Sequence, residues 1–142
     1  MRLWHESLIP YLPRQQLLSQ HRECCALRGK GWGKKHATVN YVFDHDPMWL
    51  AAYHAKVMRE MEIRFYIPDC KWFDPFYRGK NCEAYKSNDE MREIYDECFK
   101  RGIRACGISF TKMMIYPEHD DLYLEECLQK LKSKGVEIKF EK

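Results

Sequence analysis

Apolar residues recur at helical spacing in four stretches of the chain, each bracketed by its own start and stop signals. The first helix is predicted from Pro13 to Leu27, with proline in the first turn and Gly29 just past the end. The second takes Asp46 as N-cap and Pro47 as its first residue and runs to about Arg64; Leu50, Tyr53, Val57, Met58 and Met61 form its buried stripe. The third is expected to open on a capping box from Ser87 to Glu90 and to end at Gly102, burying Met91, Ile94, Tyr95, Cys98 and Phe99. The fourth is placed from near Pro117 to Gly135, with Leu124, Cys127, Leu128 and Leu131 inward. The alternating tail Val136 to Phe140 reads as a short strand or an extended segment packed on the bundle.

Between helices two and three, Ile67 to Asn81 is aromatic and contains proline, too apolar for a linker, and is expected to wrap the core. Segment 103–116 fits either a strand or a short helix. No repeat, low-complexity tract or boundary interrupts the pattern. The expected fold is mainly α: one compact helical domain over residues 1–142, of about four helices with irregular aromatic connections.

Composition agrees with a folded globule: 45% hydrophobic and 14% aromatic residues exclude disorder. No apolar run approaches the roughly 20 residues that span a bilayer, and no signal peptide is legible after Arg2, so a cytoplasmic monomer is expected. Seven cysteines (24, 25, 70, 82, 98, 106, 127) include no Cys-x-x-Cys pair, so neither a disulfide framework nor structural zinc is expected. Cys24 and Cys25 are neighbours, but adjacent helical side chains point apart.

Charge changes the picture more than its net value of +3 suggests. Residues 1–36 carry Arg2, Arg14, Arg22, Arg28, Lys30, Lys34 and Lys35 against Glu6 and Glu23, a net of +5, while the remainder is at −2. Such a basic quarter suits a face that meets phosphates, although a solvated lysine loop would read the same way. The loop Arg28 to His36 is not a phosphate-binding P-loop: Gly29 and Gly33 are separated by three residues, and Lys34 is followed by Lys35 instead of Ser or Thr. It does supply glycine backbone, four cations, His36 and Trp32, which can stack beside a base or fold back into the core. The expected DNA-binding residues are Arg2, Arg28, Lys30, Trp32, Lys34, Lys35 and His36. The six histidines show no metal-ligand spacing, and His54 reads as a packing residue.

The terminus offers distinct chemistry. An α-amine has the lowest pKa of any protein amine, about 7.7–8.0, so a useful fraction is neutral and nucleophilic near pH 7. A neighbouring guanidinium would lower it further, and a carboxylate can stabilise an iminium and move protons. Met1, Arg22 and Glu23 would together provide these parts.

The opening Met1-Arg2-Leu3 and the helix pattern Gln15, Leu17, Arg22, Glu23 resemble the pyrimidine-dimer DNA glycosylases of the endonuclease V type. His36, Thr38 and Tyr41, followed by a long helix, match a later stretch of that family. The resemblance is strongest over residues 1–66 and implies that Met1 presents the nucleophilic amine, Glu23 the catalytic carboxylate and Arg22 a grip on the lesion strand. Arg2 is too bulky for removal of the initiator methionine. Two departures stand out: Gln16 and Ala26 replace a histidine and an arginine of phage-type members. The implied activity is cofactor-free glycosylase and abasic-site lyase chemistry on double-stranded DNA, directed at pyrimidine dimers. A non-catalytic nucleic-acid-binding module of the same fold, or a helical protein-interaction module, remains the alternative.

Overall fold

The structure, a computed structural model, describes residues 3–34, 40–104 and 114–138, apart from the side chains of 99 and 101–104. A short 3-10 helix (Glu6–Tyr11) leads into α1 (Arg14–Arg28); a second 3-10 turn (Asn40–Asp44) precedes α2 (Pro47–Ile63). A third 3-10 turn (Cys70–Phe73) is followed by α3 (Asp89–Arg104) and α4 (Asp121–Ser133). No strand occurs among the described residues, and the fold is mainly α.

Helix α2 is the axis. Asp46 caps it by accepting a hydrogen bond from Met48 N at 2.9 Å, with Pro47 in the first turn, as the sequence predicts. Every residue from Leu50 to Ala55 is buried, because α1 packs on one side and α3 on another. The predicted stripe of Leu50, Tyr53, Val57, Met58 and Met61 is buried throughout, each large apolar side chain worth about 1.5–3 kcal/mol.

Helix α2 ends through an unusual residue. Tyr66 N donates to Met61 O at 2.9 Å, closing a Schellman motif around Phe65, whose φ is +67°. Helix α4 closes the same way, Val136 N donating to Leu131 O at 2.9 Å, but around Gly135 at φ +82°. Phe65 occupies a left-handed position that strains any residue with a Cβ, and its ring is 93% exposed.

Several predicted boundaries shift. Asn88 Oδ1 accepts from Met91 N at 2.8 Å, so Asn88 caps α3 and the box from Ser87 to Glu90 does not form. Gly102 does not stop α3, which runs to Arg104; one interior glycine costs only about 1 kcal/mol and is tolerated. Helix α4 begins at Asp121 and not near Pro117, because Asp120 Oδ1 accepts from Tyr123 N at 2.9 Å. Of segment 103–116, the first two residues end α3, residues 105–113 lie outside the described residues, and Met114–Tyr116 are irregular. Val136 and Ile138 pack on the core without forming a strand. In the aromatic connection Phe76 is buried as expected, whereas Ile67 is 96% exposed.

No helix among the described residues is long and apolar enough to cross a membrane.

Candidate active site and nucleic-acid face

The N-terminal segment is held at both its backbone and its side chains. Trp4 N donates to Gln20 Oε1 at 2.7 Å, and the buried Tyr53 hydroxyl donates to Trp4 O at 2.6 Å and Gln20 Oε1 at 3.1 Å. Tyr123 of α4 donates to Leu3 O. Gln20 then turns its amide outward, Nε2 donating to Glu23 Oε2 at 3.2 Å. Residues three apart share a helix face. One buried glutamine therefore joins the start of the chain to the carboxylate of Glu23, which is half-buried.

Glu6 adds a deeper anchor. Its carboxylate is buried and accepts from Ile115 N at 2.9 Å and Tyr116 N at 3.0 Å; Lys56 Nζ lies 3.3 Å away and His119 Nδ1 3.3 Å. Burial pushes its pKa up, but the His119 hydrogen bond and the Lys56 charge outweigh burial and hold it at about 2. His5 accepts from Ser7 N at Nδ1 and so donates from Nε2 to His119 O at 2.9 Å. Burial, then the His119 charge, lower its pKa to about 4, so the ring is neutral near pH 7. Sequence inspection overlooks this group, since Glu6 and His119 are 113 residues apart.

Arg22 is exposed and donates to Ser19 Oγ at 3.1 Å. Lys30 and Lys34 are exposed. Met1, Arg2, Lys35 and His36 lie outside the described residues. Trp32 is half-buried with its ring edge-on to Phe43 at 5.0 Å, so the indole folds back against the core. Two of the loop glycines, Gly29 and Gly31, serve packing. A Cβ on Gly29 would meet Arg78 O at 2.9 Å, and one on Gly31 would meet Ala26 O at 2.8 Å.

Arg28 requires a correction. It is 4% exposed, with Nη1 donating to Trp72 O at 2.7 Å and Nη2 to Asp74 O at 2.8 Å and Tyr77 O at 3.1 Å. Its guanidinium lies 5.0 Å from the Trp72 ring centroid. A charge enclosed by carbonyls in this way pins the 72–77 connection to α1 and is not displayed on the surface as the sequence reading expects.

His54 is buried with both ring nitrogens hydrogen-bonded, as a packing residue should be, and it also completes a group the sequence did not bring together. His21 and Cys25, one turn apart on α1, meet His54 of α2, their ligand-type atoms lying within 4.8 Å of one another. Donors fix the protons. Arg28 Nη1, 2.9 Å from His54 Nδ1, cannot accept, so His54 carries its proton on Nε2 and donates to His21 Nδ1 at 2.8 Å. His21 in turn directs its Nε2 proton toward Cys25 Sγ at 3.9 Å. A metal on His54 Nε2 would leave an imidazole with no proton opposite a cation, so the cluster reads as a proton-filled chain. Burial, then the Arg28 charge, hold His54 well below the usual histidine range, and burial raises Cys25 to about 11. All three groups are neutral near pH 7. The His21–Cys25 spacing is legible in the sequence; the third member comes only from the packing of α2.

The family model described as pyrimidine dimer DNA glycosylase matches residues 1–74, from the N-terminal segment through α1 and α2 to the third 3-10 turn. No curated protein and no solved structure matches the chain. The matched half holds Glu23, the glutamine that positions it and the basic loop, and the chain belongs to the pyrimidine dimer DNA glycosylase family.

Proposed function

We propose that the chain excises a damaged pyrimidine from DNA and then cleaves the strand, using the Met1 amine as nucleophile and Glu23 as the proton-moving carboxylate. Membership of the family supports glycosylase chemistry on DNA. The observation that carries the finer reading is the Gln20 bridge, which ties Trp4 N and the Glu23 carboxylate to one side chain. Three residues of chain reach at most about 10 Å, so an amine at Met1 stays within that distance of the Trp4 end of the bridge.

The chemistry follows from the groups. The neutral amine attacks C1′, the C1′–N bond to the base breaks, and the departing base takes up a proton. The amine then passes a proton to O4′ as the C1′–O4′ bond breaks, leaving an iminium at C1′ whose positive charge a nearby carboxylate stabilises. Glu23 then removes a C2′ proton, and β-elimination expels the 3′ phosphate. Water hydrolyses the imine and returns the amine. Arg22, exposed beside Glu23, is available to a phosphate on that face.

Borohydride trapping on an abasic duplex tests this. The native chain is expected to become covalently attached to the DNA, and an acetylated or uncleavably tagged terminus is expected to abolish attachment. Glu23→Gln should keep DNA binding while cleavage falls about 10²–10⁴-fold. Trapping at the native rate by an N-terminally blocked protein would assign the nucleophile to a lysine and end the proposal.

A further inference from the structure

The face of α1 opposite Glu23 carries a second feature. Cys25, two residues on, lies about 200° round the helix, and there a cleft of about 520 Å³ opens between the 29–34 loop and the 69–82 connection. Lys30, Lys34, Arg78 and Lys80 line it against a single carboxylate, Asp69. Its wall is aromatic: Trp72 and Tyr77 meet edge to face at 4.8 Å.

The cleft is built and not incidental. Arg28 grips the carbonyls of Trp72, Asp74 and Tyr77, and Arg78 returns the contact, Nε donating to Arg28 O at 2.9 Å and Nη2 to Gly29 O at 3.2 Å. Gly79 has φ +94°, a conformation that strains any residue with a Cβ, and a Cβ there would also sit 3.3 Å from the Trp72 ring, so the connection crosses the indole at glycine. Asp69 Oδ1 is engaged by Lys71 N at 3.0 Å. Lys30, Lys34 and Lys80 take part in no ion pair among the described residues, and Lys30 and Lys80 stand exposed at the two rims.

We infer that this cleft binds single-stranded DNA, with phosphates on Lys30, Lys34 and Lys80 and a base against the Trp72–Tyr77 wall. Cations bordering an aromatic wall are the two elements by which proteins hold a single strand. A duplex keeps its base faces in its own stack and cannot use the wall without opening, whereas every base of a single strand has a free π-face. The inference takes from the preceding reading only that the substrate is DNA. It places strand binding on the opposite side of α1 from the Glu23 chemistry.

Titrating the full chain into a labelled thymidine oligonucleotide of about a dozen residues, followed by anisotropy, tests the assignment. A blunt duplex of equal length is the comparison. The single strand should bind more tightly than the duplex at equal salt. Lys80→Ala should reduce the slope of log affinity against log salt by about 0.7, the value for one single-strand phosphate contact. Trp72→Leu should weaken binding about 5- to 150-fold. Trp72 also covers Arg28, so if that variant fails to fold, the exposed Lys80 carries the test. An unchanged slope and affinity in a folded Lys80→Ala protein, or a duplex preferred over the strand, would overturn the inference. Oligonucleotide binding reads the cleft and imine trapping reads Met1, so loss of one with the other intact identifies which proposal has failed.

Discussion

Replacing Gln20 tests how the fold positions the chemistry. In Gln20→Leu the side chain keeps a similar volume but loses both amide functions. Trp4 N, buried and bonded at 2.7 Å, is left without its acceptor, at a cost of about 1–3 kcal/mol. Tyr53 retains Trp4 O and loses only its longer partner, while the half-buried Glu23 can turn to water. The net loss should be about 2–3 kcal/mol, a fall in Tm of roughly 4–12 °C for a chain of this size. Cleavage should fall further than stability explains, by about 10²-fold, because displacing a reacting group by about 1 Å can cost that much. Gln20→Glu separates the two effects. It still offers Trp4 N an acceptor, so most stability should return, but it sets a second carboxylate where Nε2 donated to Glu23 at 3.2 Å. Two such carboxylates do not ionise independently, so the lower limb of the cleavage pH profile should move upward. Denaturant unfolding and single-turnover cleavage of an abasic duplex provide the readouts. If Gln20→Leu unfolds within 0.5 kcal/mol of the native chain and cleaves at the native rate, the bridge has no role.

Three further outcomes are expected. Arg28→Leu should destabilise by about 3–5 kcal/mol, since it strips donors from Trp72 O, Asp74 O and Tyr77 O, and Arg28→Lys should not restore this with its single ammonium; native-like unfolding of either variant would contradict the buried role. Stability should decline on acidification in two stages, measurable by denaturant unfolding from pH 7 to 3. His5, lowered to about 4, contributes stability present above its ordinary 6.5 and lost as pH falls toward 4; Glu6, lowered to about 2, contributes stability present above 4.5 and lost as pH falls toward 2. Glu6→Gln should flatten the second stage, and an unaltered limb would remove Glu6 from it. Phe65→Gly should stabilise by about 0.5–1 kcal/mol, because relief of the left-handed strain exceeds the entropy of an added glycine and the exposed ring loses little packing; thermal unfolding at or below the native midpoint would refute this.

What the sequence determined by itself is local. Asp46, Pro47 and the stripe from Leu50 to Met61 settle α2, because a cap, a fixed φ and a 3.6-residue period all act within one element. Helix α1 lies within one residue of its predicted span for the same reason, and the basic N-terminal quarter and the family motifs are likewise read directly from the chain. Boundaries blur where adjacent residues compete for one role. Ser87 and Asn88 are both competent caps one residue apart, and it is Asn88 that accepts from Met91 N.

Tertiary structure decided what charged and polar residues do. Arg28 looks like its neighbour Lys30 in a list of cations, but carbonyls 44 to 49 residues away enclose one and leave the other exposed. His54 becomes the proton donor to His21 through helix packing, and Glu6 becomes an anchor through backbone groups of Ile115 and Tyr116. The bridge from Trp4 through Gln20 to Glu23 appears only when the N-terminal segment lies along α1. The reason is physical: propensity and periodicity act over a few residues, whereas desolvation and the partners that offset it are set by groups distant in sequence.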